Sequence, residues 1–373
     1  MAGNVAAVVL AAGFSSRMGE FKPLLPLDGA MVLERVVTLF QGAGIGDVRV
    51  VVGHRAAELE PIVSRLGARV IANPHYRDGM FTSVAAGVAT IGEEVDAFFV
   101  LPVDVPLVRG ATIRRLLDAY RQEPCDVIYP RFQGQRGHPP LIAGRHAPEI
   151  AGWQDTGGLR AVLAQWNPGA RDVDVADELI LWDMDTPDDY LLLQGKADRL
   201  EIPTEEECLV LLERVLCVDD RIIGHGKAVA DVAVLLGMAL NRAGCGLDIS
   251  LLTAAGLLHD LARKEPDHAR IGARLLRDMG YGAVAELVAV HMDMSVTEGE
   301  PVTAGEVIYL ADKLVQGERR VSVTERFRAA MERHAHDPAI LGRVAARLKT
   351  AMTIQQRLEA ILGRSLTEIT DTL

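Results

Sequence analysis

A chain of 373 residues is long enough for two domains with buried cores. It is 49% hydrophobic but only 5% aromatic, so Ala, Val, Leu and Ile must build those cores. The net charge of −12 excludes a general nucleic-acid-binding surface and leaves room only for local basic pockets. Four cysteines (Cys125, Cys208, Cys217, Cys245) without CxxC spacing predict free thiols in a reducing, cytoplasmic setting. The first apolar run ends at Gly13 with no charged segment before it. It reads as a first strand rather than a signal peptide, and no apolar run reads as long enough to span a bilayer.

In chain order, Val5–Ala11 reads as a buried strand, Val32–Phe40 as a helix face and Val48–Val52 as a second strand ending at Gly53-His54. Val70–Ala72 follows as a short strand, Phe81–Ile91 as a helix, and Ala97–Leu101 as a strand running into Pro102-Val103-Asp104. Continuous apolar strands separated by amphipathic helices predict an α/β domain, a mostly parallel sheet covered on both faces. Ligands of such sheets bind at the carboxyl ends of the strands. The Gly13 loop, Gly53-His54 and Asp104 should therefore share one edge, with Asp185 expected at another strand end. Thr186-Pro187-Asp188-Asp189 reads as a helix start, with acids near the positive end of the dipole. Arg199–Glu207 is polar, contains Pro203 and reads as a linker. Beyond Leu209 the pattern is helical throughout: Val229–Leu240, Leu251–Leu261, Ala269–Met279, Val302–Val315 and Val344–Leu362. The expected division is thus an α/β domain over 1–198 and an all-α domain over 205–373.

The first chemistry-bearing segment is Leu10-Ala11-Ala12-Gly13-Phe14-Ser15-Ser16-Arg17-Met18-Gly19, followed by Lys22-Pro23-Leu24-Leu25-Pro26-Leu27. An apolar strand runs into small residues and then a loop with one Arg and one Lys. That pattern offers bare backbone N–H groups and two positive charges to a triphosphate. It lacks GxGxxG spacing, and Gly224-His225-Gly226-Lys227 further on is not a phosphate-binding P-loop. A bound triphosphate needs its charge neutralised, which Arg17 and Lys22 can do, while the Gly13 backbone allows close approach. Mg²⁺ takes carboxylate oxygens, and Asp104 with Asp185 is the natural pair.

This opening segment resembles the LAAGxSxRMGxxKxLLPL signature of the molybdenum-cofactor nucleotidyltransferases, the MobA-like family. Four more segments resemble that family in order: Asn73-Pro74 with Gly79-Met80-Phe81-Thr82-Ser83; Leu101 to Leu107; Gly134-Gln135-Arg136-Gly137-His138-Pro139; and Asp183 to Asp189. One departure is Pro102-Val103 where the family has a glycine before the aspartate. Ala11-Ala12-Gly13 is closest to the cytidylyltransferase branch. The resemblance implies a Rossmann-like nucleotidyltransferase domain with Leu10, Ala11, Ala12, Gly13, Arg17, Lys22, Gly79, Ser83 and Asp104 at the nucleotide, and Arg17, Lys22 and Asp104 catalytic. Arg136 and His138 either contact the acceptor or close the turn at Pro139.

The second constellation is His259-Asp260 inside the apolar run Leu257 to Ala262. Burying an adjacent imidazole and carboxylate is costly unless something binds them, and a metal ion is the economical explanation. His225 and Asp312 lie in equally apolar helical text. This H…HD…D order resembles the HD superfamily of metal-dependent phosphohydrolases over residues 205 to 330. The resemblance implies one or two divalent metals (Mn, Fe, Ni, Zn or Mg) held by His225, His259, Asp260 and Asp312, with Asp260 also orienting a water. His268 and His291 are either ligands of a second metal or satisfied core histidines. Lys264 reads as a solvated helix end. Arg319, Arg320, Arg326, Arg328 and Arg333 read as one solvated helical face, and Val344–Leu362 as a helix packed on the bundle or on a second subunit.

The expectation is a fusion: a transferase moving a nucleotidyl group, CMP from CTP, to molybdopterin or molybdenum cofactor with release of pyrophosphate, joined to a metal-dependent phosphohydrolase. A molybdenum hydroxylase is an expected downstream partner; nucleic acid and membrane are not. The alternatives are another phosphorylated acceptor (a sugar phosphate or phosphocholine), a non-catalytic cofactor-delivery chaperone, and a protein that is primarily an HD nucleotide hydrolase.

Overall fold

The computed structural model describes residues 4–296, 299–333, 335–366 and 368, so a few positions of the expected 205–373 domain lie outside the described residues. The chain divides into two compact units, 1–199 and 200–373.

The first unit is built on strands β1 (Val5–Ala11), β2 (Pro26–Leu27), β3 (Ala30–Met31), β4 (Asp47–Val52), β5 (Arg69–Ala72), β6 (Ala97–Pro102), β7 (Val127–Phe132), β8 (Gln135–Arg136), β9 (Leu141–Ala143) and β10 (Ala170–Asp174). Its helices are α1 (Val32–Gly42), α2 (Ala56–Arg65), α3 (Met80–Val88), α4 (Gly110–Gln122), α5 (Ala147–Gly152), α6 (Gly158–Ala164) and α7 (Pro187–Ala197). The main sheet runs β10-β7-β9-β6-β1-β4-β5, with β8 added on β7. β1, β4, β5 and β6 are mutually parallel, as their unbroken apolar runs predict. β9 runs antiparallel to both β6 and β7, so the sheet is mixed at one end. The chain leaves β1 for β4 and β5, then returns to β6 on the other side of β1. This reversal opens a crevice at the carboxyl ends of β1 and β6. The Gly13 loop and Asp104 follow those two strands.

Several boundaries differ from expectation. α3 ends at Val88, three residues short of Ile91. Asp185 does not end a strand: Leu179 and Ile180 are buried in a 3₁₀ turn over Glu178–Leu181, capped by Asp177, and Asp185 sits in the loop that follows. α7 starts where expected. Thr186 Oγ1 accepts from the Asp189 N–H while the Asp189 carboxylate accepts from the Thr186 N–H, a reciprocal cap.

The second unit contains α8 (Glu205–Val210), α9 (Asp220–Arg242), α10 (Ile249–Leu258), α11 (His268–Asp278), α12 (Gly282–Val290), α13 (Ala304–Lys313), a hairpin of β11 (Val315–Gln316) and β12 (Arg319–Arg320), α14 (Val323–Arg333) and α15 (Pro338–Leu362). The polar segment expected as linker ends in helix: Thr204 caps α8 and the buried Glu207 completes the cap. The hairpin interrupts the expected helical run, so α13 stops at Lys313 and Arg319-Arg320 are extended. α9 is long and apolar enough by length and composition to cross a membrane, contrary to the sequence expectation. Half of its apolar window is buried within the protein, and it packs on α10 and α13 as a core helix.

Candidate active sites

In the first unit the crevice is a cavity of about 310 Å³. The turn after β1 supplies its floor, from Leu10 to Gly13, and a Cβ on Gly13 would meet no protein atom within 4 Å. The glycine is therefore not required by packing, and its open side is available to a ligand. Gly79, with φ of +115°, takes a conformation L side chains avoid and starts α3 at the cavity wall. The buried Ser83 accepts from Asn73 Nδ2 at 3.0 Å, which ties α3 to the end of β5. Lys22 is 8% exposed, and its Nζ donates to Asp104 Oδ2 at 3.1 Å and Asp185 Oδ1 at 2.8 Å. Arg17 pairs with Asp185 at 2.8 Å while its side chain stays 74% exposed. The Met184 N–H donates to the Asp104 carbonyl at 2.8 Å, which holds the two carboxylate loops together. Pro102-Val103 is accommodated: the Val103 N–H donates to the Leu10 carbonyl at 3.0 Å.

All the nucleotide residues expected from sequence thus line this one cavity. Phe14, Tyr76, Arg77 and Met80 line it too and were missed. The Phe14 and Tyr76 rings lie 5.2 Å apart, one in a loop and one in a three-residue 3₁₀ turn, where no periodicity marks them. A neighbouring cavity of about 470 Å³ joins Arg17, Asp104 and Asp185 to Arg136, His138 and Trp182. Burial pushes the His138 pKa down, against the pull of Asp104 and Asp183. Arg136 is held by Asp172 (2.6 Å) and Asn167 (2.9 Å) and lies over the Tyr129 ring.

In the second unit six side chains converge from α9, the α10–α11 turn, α11, the end of α12 and α13. The His259-Asp260 pair lies just past α10 and not inside a helix. Beyond Leu258 the backbone tightens into i→i+3 turns, with Leu261 N–H donating to Leu258 and Arg263 N–H to Asp260. His225, His259 and one oxygen of Asp260 form one group able to hold a metal; Asp260, His268 and His291 form a second. Asp260 Oδ2 lies 4.0 Å from His225 Nε2 and 3.6 Å from His259 Nε2. Its Oδ1 lies 3.2 Å from His268 Nε2 and 3.5 Å from His291 Nε2. Asp312 Oδ1 closes the first group, 3.2 Å from His225 Nε2 and 3.8 Å from His259 Nε2.

Tautomers test the fit. His259 Nδ1 donates to the Gly256 carbonyl at 2.8 Å and His291 Nδ1 to the Val288 carbonyl at 2.7 Å. That leaves each Nε2 with a lone pair, both rings are 1% exposed, and neither Nε2 has a hydrogen-bond partner. Two buried, orphaned imidazole nitrogens aimed at one carboxylate fit a divalent cation. Burial pushes His259 down to about 4, with Asp260 and Asp312 pulling the other way, so the ring is neutral at pH 7 as a ligand must be. Desolvation opposes the charge on Asp260, yet the hydrogen bond with His268 and the nearby His259 and Arg263 hold its carboxyl well below the usual range. The same holds for Asp312 through Lys313 and His225. Burial also opposes charging His225, but Asp312 and the Gly317 carbonyl lift its pKa above the ordinary value. Lys264, exposed, reaches Asp219 at 3.9 Å and takes no part in the cluster.

The fold and the two sites define a nucleotidyltransferase-type α/β domain joined to an all-α domain with a candidate metal cluster. The chain belongs to the MobA-like NTP transferase family. The model of the MobA-like NTP transferase domain matches residues 7–171, and that of the HD domain matches residues 222–316. It is similar to the molybdenum cofactor cytidylyltransferase of Escherichia coli, 27% identical over 187 residues, covering 49% of this chain and 92% of that one. It is also similar to a probable molybdenum cofactor guanylyltransferase of Bacillus cereus, 32% identical over 143 residues, 38% of this chain and 68% of that one. Among solved structures, Rv0371c of Mycobacterium tuberculosis H37Rv is 26% identical, with a TM-score of 0.47, covering 52% of this chain and all of that one.

Proposed function

We propose that the first unit transfers CMP from CTP to molybdopterin or its molybdenum-loaded form. The observation that supports this reading is Lys22 fixed between Asp104 and Asp185 at the mouth of the Gly13 crevice. The acceptor's terminal phosphate oxygen bonds to the α-phosphorus, the bond to the β-phosphate oxygen breaks, and pyrophosphate leaves. The nucleophile is already ionised, so no strong general base is needed. Arg17 and Lys22 neutralise the leaving pyrophosphate, and the β1 turn positions the phosphates by backbone contact. Asp104 and Asp185 offer hard oxygen ligands suited to Mg²⁺, which would supply charge neutralisation at the phosphates. Arg136 and His138 face the acceptor. The cytidylyltransferase relative, covered over 92% of its length, and Ala12 in the β1 turn favour CTP. All four cysteines are free, which fits a cytoplasmic protein. The product suits delivery to a molybdenum hydroxylase.

The second unit, in the same reading, is a metal-dependent phosphohydrolase. Its support is the pair of orphaned Nε2 atoms beside Asp260. His225, His259, Asp260 and Asp312 would hold one divalent ion, and Asp260, His268 and His291 a second. Such ions lower the pKa of a bound water and polarise a phosphoryl oxygen. Asp260 orients the water, whose oxygen bonds to phosphorus as the ester P–O bond breaks and the departing oxygen takes a proton.

The deciding experiment measures pyrophosphate release with CTP, GTP and ATP in the presence of molybdenum cofactor, for wild type and Asp104→Ala. Turnover with CTP that Asp104→Ala abolishes is expected. Dominant turnover of GTP overturns the choice of nucleotide. No release with any nucleotide overturns the transferase reading in favour of a cofactor chaperone.

A further inference from the structure

Two basic residues expected on a solvated face, Arg326 and Arg333, line a cavity of about 280 Å³ beside the HD cluster. Asp312 belongs to both the cluster and the cavity wall. Arg263 links them as well, its Nη1 lying 3.3 Å from Asp260 Oδ1. Five cations (Arg263, Lys313, Arg326, Arg333, Arg347) and a single carboxylate line the space, in a chain whose net charge is −12. Three of the five are engaged: Lys313 with Asp312 at 2.6 Å, Arg347 with Asp293 at 2.8 and 2.9 Å, and Arg263 with Asp260. Arg326 Nη2 stands 4.0 Å from Asp312 Oδ1, at the limit of an ion pair, and Arg333 is exposed. A concentration of positive charge in an acidic protein selects an anion.

The walls are two helix faces. Arg326, Ala330 and Arg333 are spaced four and three apart on α14, and Ile340, Val344 and Arg347 repeat that spacing on α15. The small Ala330 lies between the two arginines in sequence on the same lining. Phe327, 6% exposed, and Met292 add apolar surface that an inorganic ion has no use for. Both helices lie beyond residue 316, where the HD match ends.

We propose that this cavity is the substrate-binding half of the HD centre and that it takes an organic phosphate. The ligand carries a phosphoryl group with at least two negative charges, held by Arg326 and Arg333, on a flat or apolar body seated against Phe327, Ile340 and Val344. The proposal rests on the phosphohydrolase reading of the cluster: the phosphoryl group enters past Asp312 toward the water that Asp260 orients.

The test uses the full chain loaded with Mn²⁺ and titrated calorimetrically with phenyl phosphate, a probe without a nucleobase for the transferase cavity. Metal content is measured on the same samples. Arg326→Gln and Arg333→Gln are each expected to weaken binding roughly tenfold, and the double variant about a hundredfold, with metal content unchanged. Inorganic phosphate is expected to bind more weakly than phenyl phosphate. Unchanged affinity in both single variants at full metal content overturns the proposal alone. Equal affinity for inorganic phosphate overturns its organic part. A wild-type chain that takes up no Mn²⁺ overturns the metal-centre reading and the proposal with it.

Discussion

Gly256→Ala should weaken the ion position that His225 shares with His259 and Asp260 without replacing a ligand. A Cβ at Gly256 would lie 2.5 Å from Ala230 Cα, 2.8 Å from its N and 2.9 Å from its Cβ. Ordinary contact begins near 3.4 Å, and neither backbone nor Cβ can rotate aside, so α9 and α10 must part by about 1 Å. Gly226 confirms how tightly that spacing is set, since its own Cβ would sit 2.6 Å from the Leu257 carbonyl oxygen. His225 lies on α9 five residues before Ala230, and its Nε2 is 4.0 Å from Asp260 Oδ2. Two metal–ligand bonds of about 2.1 Å span at most about 4.2 Å, so a further ångström takes His225 out of reach. Overpacking should cost about 1–3 kcal/mol, and divalent metal affinity should fall by at least about tenfold. Gly342→Ala is the control: it lies within α15, and its Cβ would meet nothing within 4 Å. That change should be neutral or stabilising by about 1 kcal/mol. Chemical denaturation followed by circular dichroism, with and without Mn²⁺, and metal analysis of the same samples read both effects. Wild-type metal affinity in Gly256→Ala would refute the reasoning.

Lys22→Met should lower pyrophosphate release about 100- to 1,000-fold at saturating nucleotide, the usual cost of removing a donor aimed at developing charge; near-normal turnover would remove the ammonium from the mechanism. His291→Ala should lower the Mn²⁺ content from two ions per chain to one, while Asp260→Asn empties both positions; two ions retained in Asp260→Asn would contradict a shared carboxylate. Asp47→Asn tests the first unit. Asp47 is held below its ordinary value of 3.8, mainly by its hydrogen bond with the buried Arg49. A depressed carboxyl contributes stability above the unfolded value, and that contribution is lost as pH falls through the folded value. Because Asp47 is partly exposed, the variant should cost about 1–3 kcal/mol at pH 7, and the gap to wild type should close below pH 4 in denaturant titrations. A gap that does not narrow as pH falls below 4 would count against the ion pair.

What the sequence made legible follows from periodicity and local chemistry. β1 and β6 are buried on both faces and read as unbroken apolar runs, which placed Gly13 and Asp104 at one edge. The HD dyad stood out because an imidazole and a carboxylate interrupted the apolar run between Leu258 and Leu261. β9 was illegible, since three residues, Leu141–Ala143, carry no measurable period and strand direction is set by connections elsewhere. The end of α10 was hidden for a different reason: His259 keeps helical dihedrals while the bonding shifts to i→i+3, so composition does not change there. The two faces of the anion cavity each show helical spacing, but nothing in one dimension says that they line the same space. Phe14 and Tyr76 meet only through the fold.

The HD cluster also has a topological consequence. His225 and Asp312 are 87 residues apart, and all four cysteines are free thiols, so no covalent cross-link closes that span. An ion held by both would act as a reversible staple on the helical unit. Closing a loop of that length disfavours the unfolded chain by an amount of order 4–5 kcal/mol in the chain-entropy picture. The domain's resistance to unfolding would then follow the free concentration of its ion. A chelator should lower the melting temperature of the helical unit and leave the sheet unit, whose ladder needs no ion, where it was.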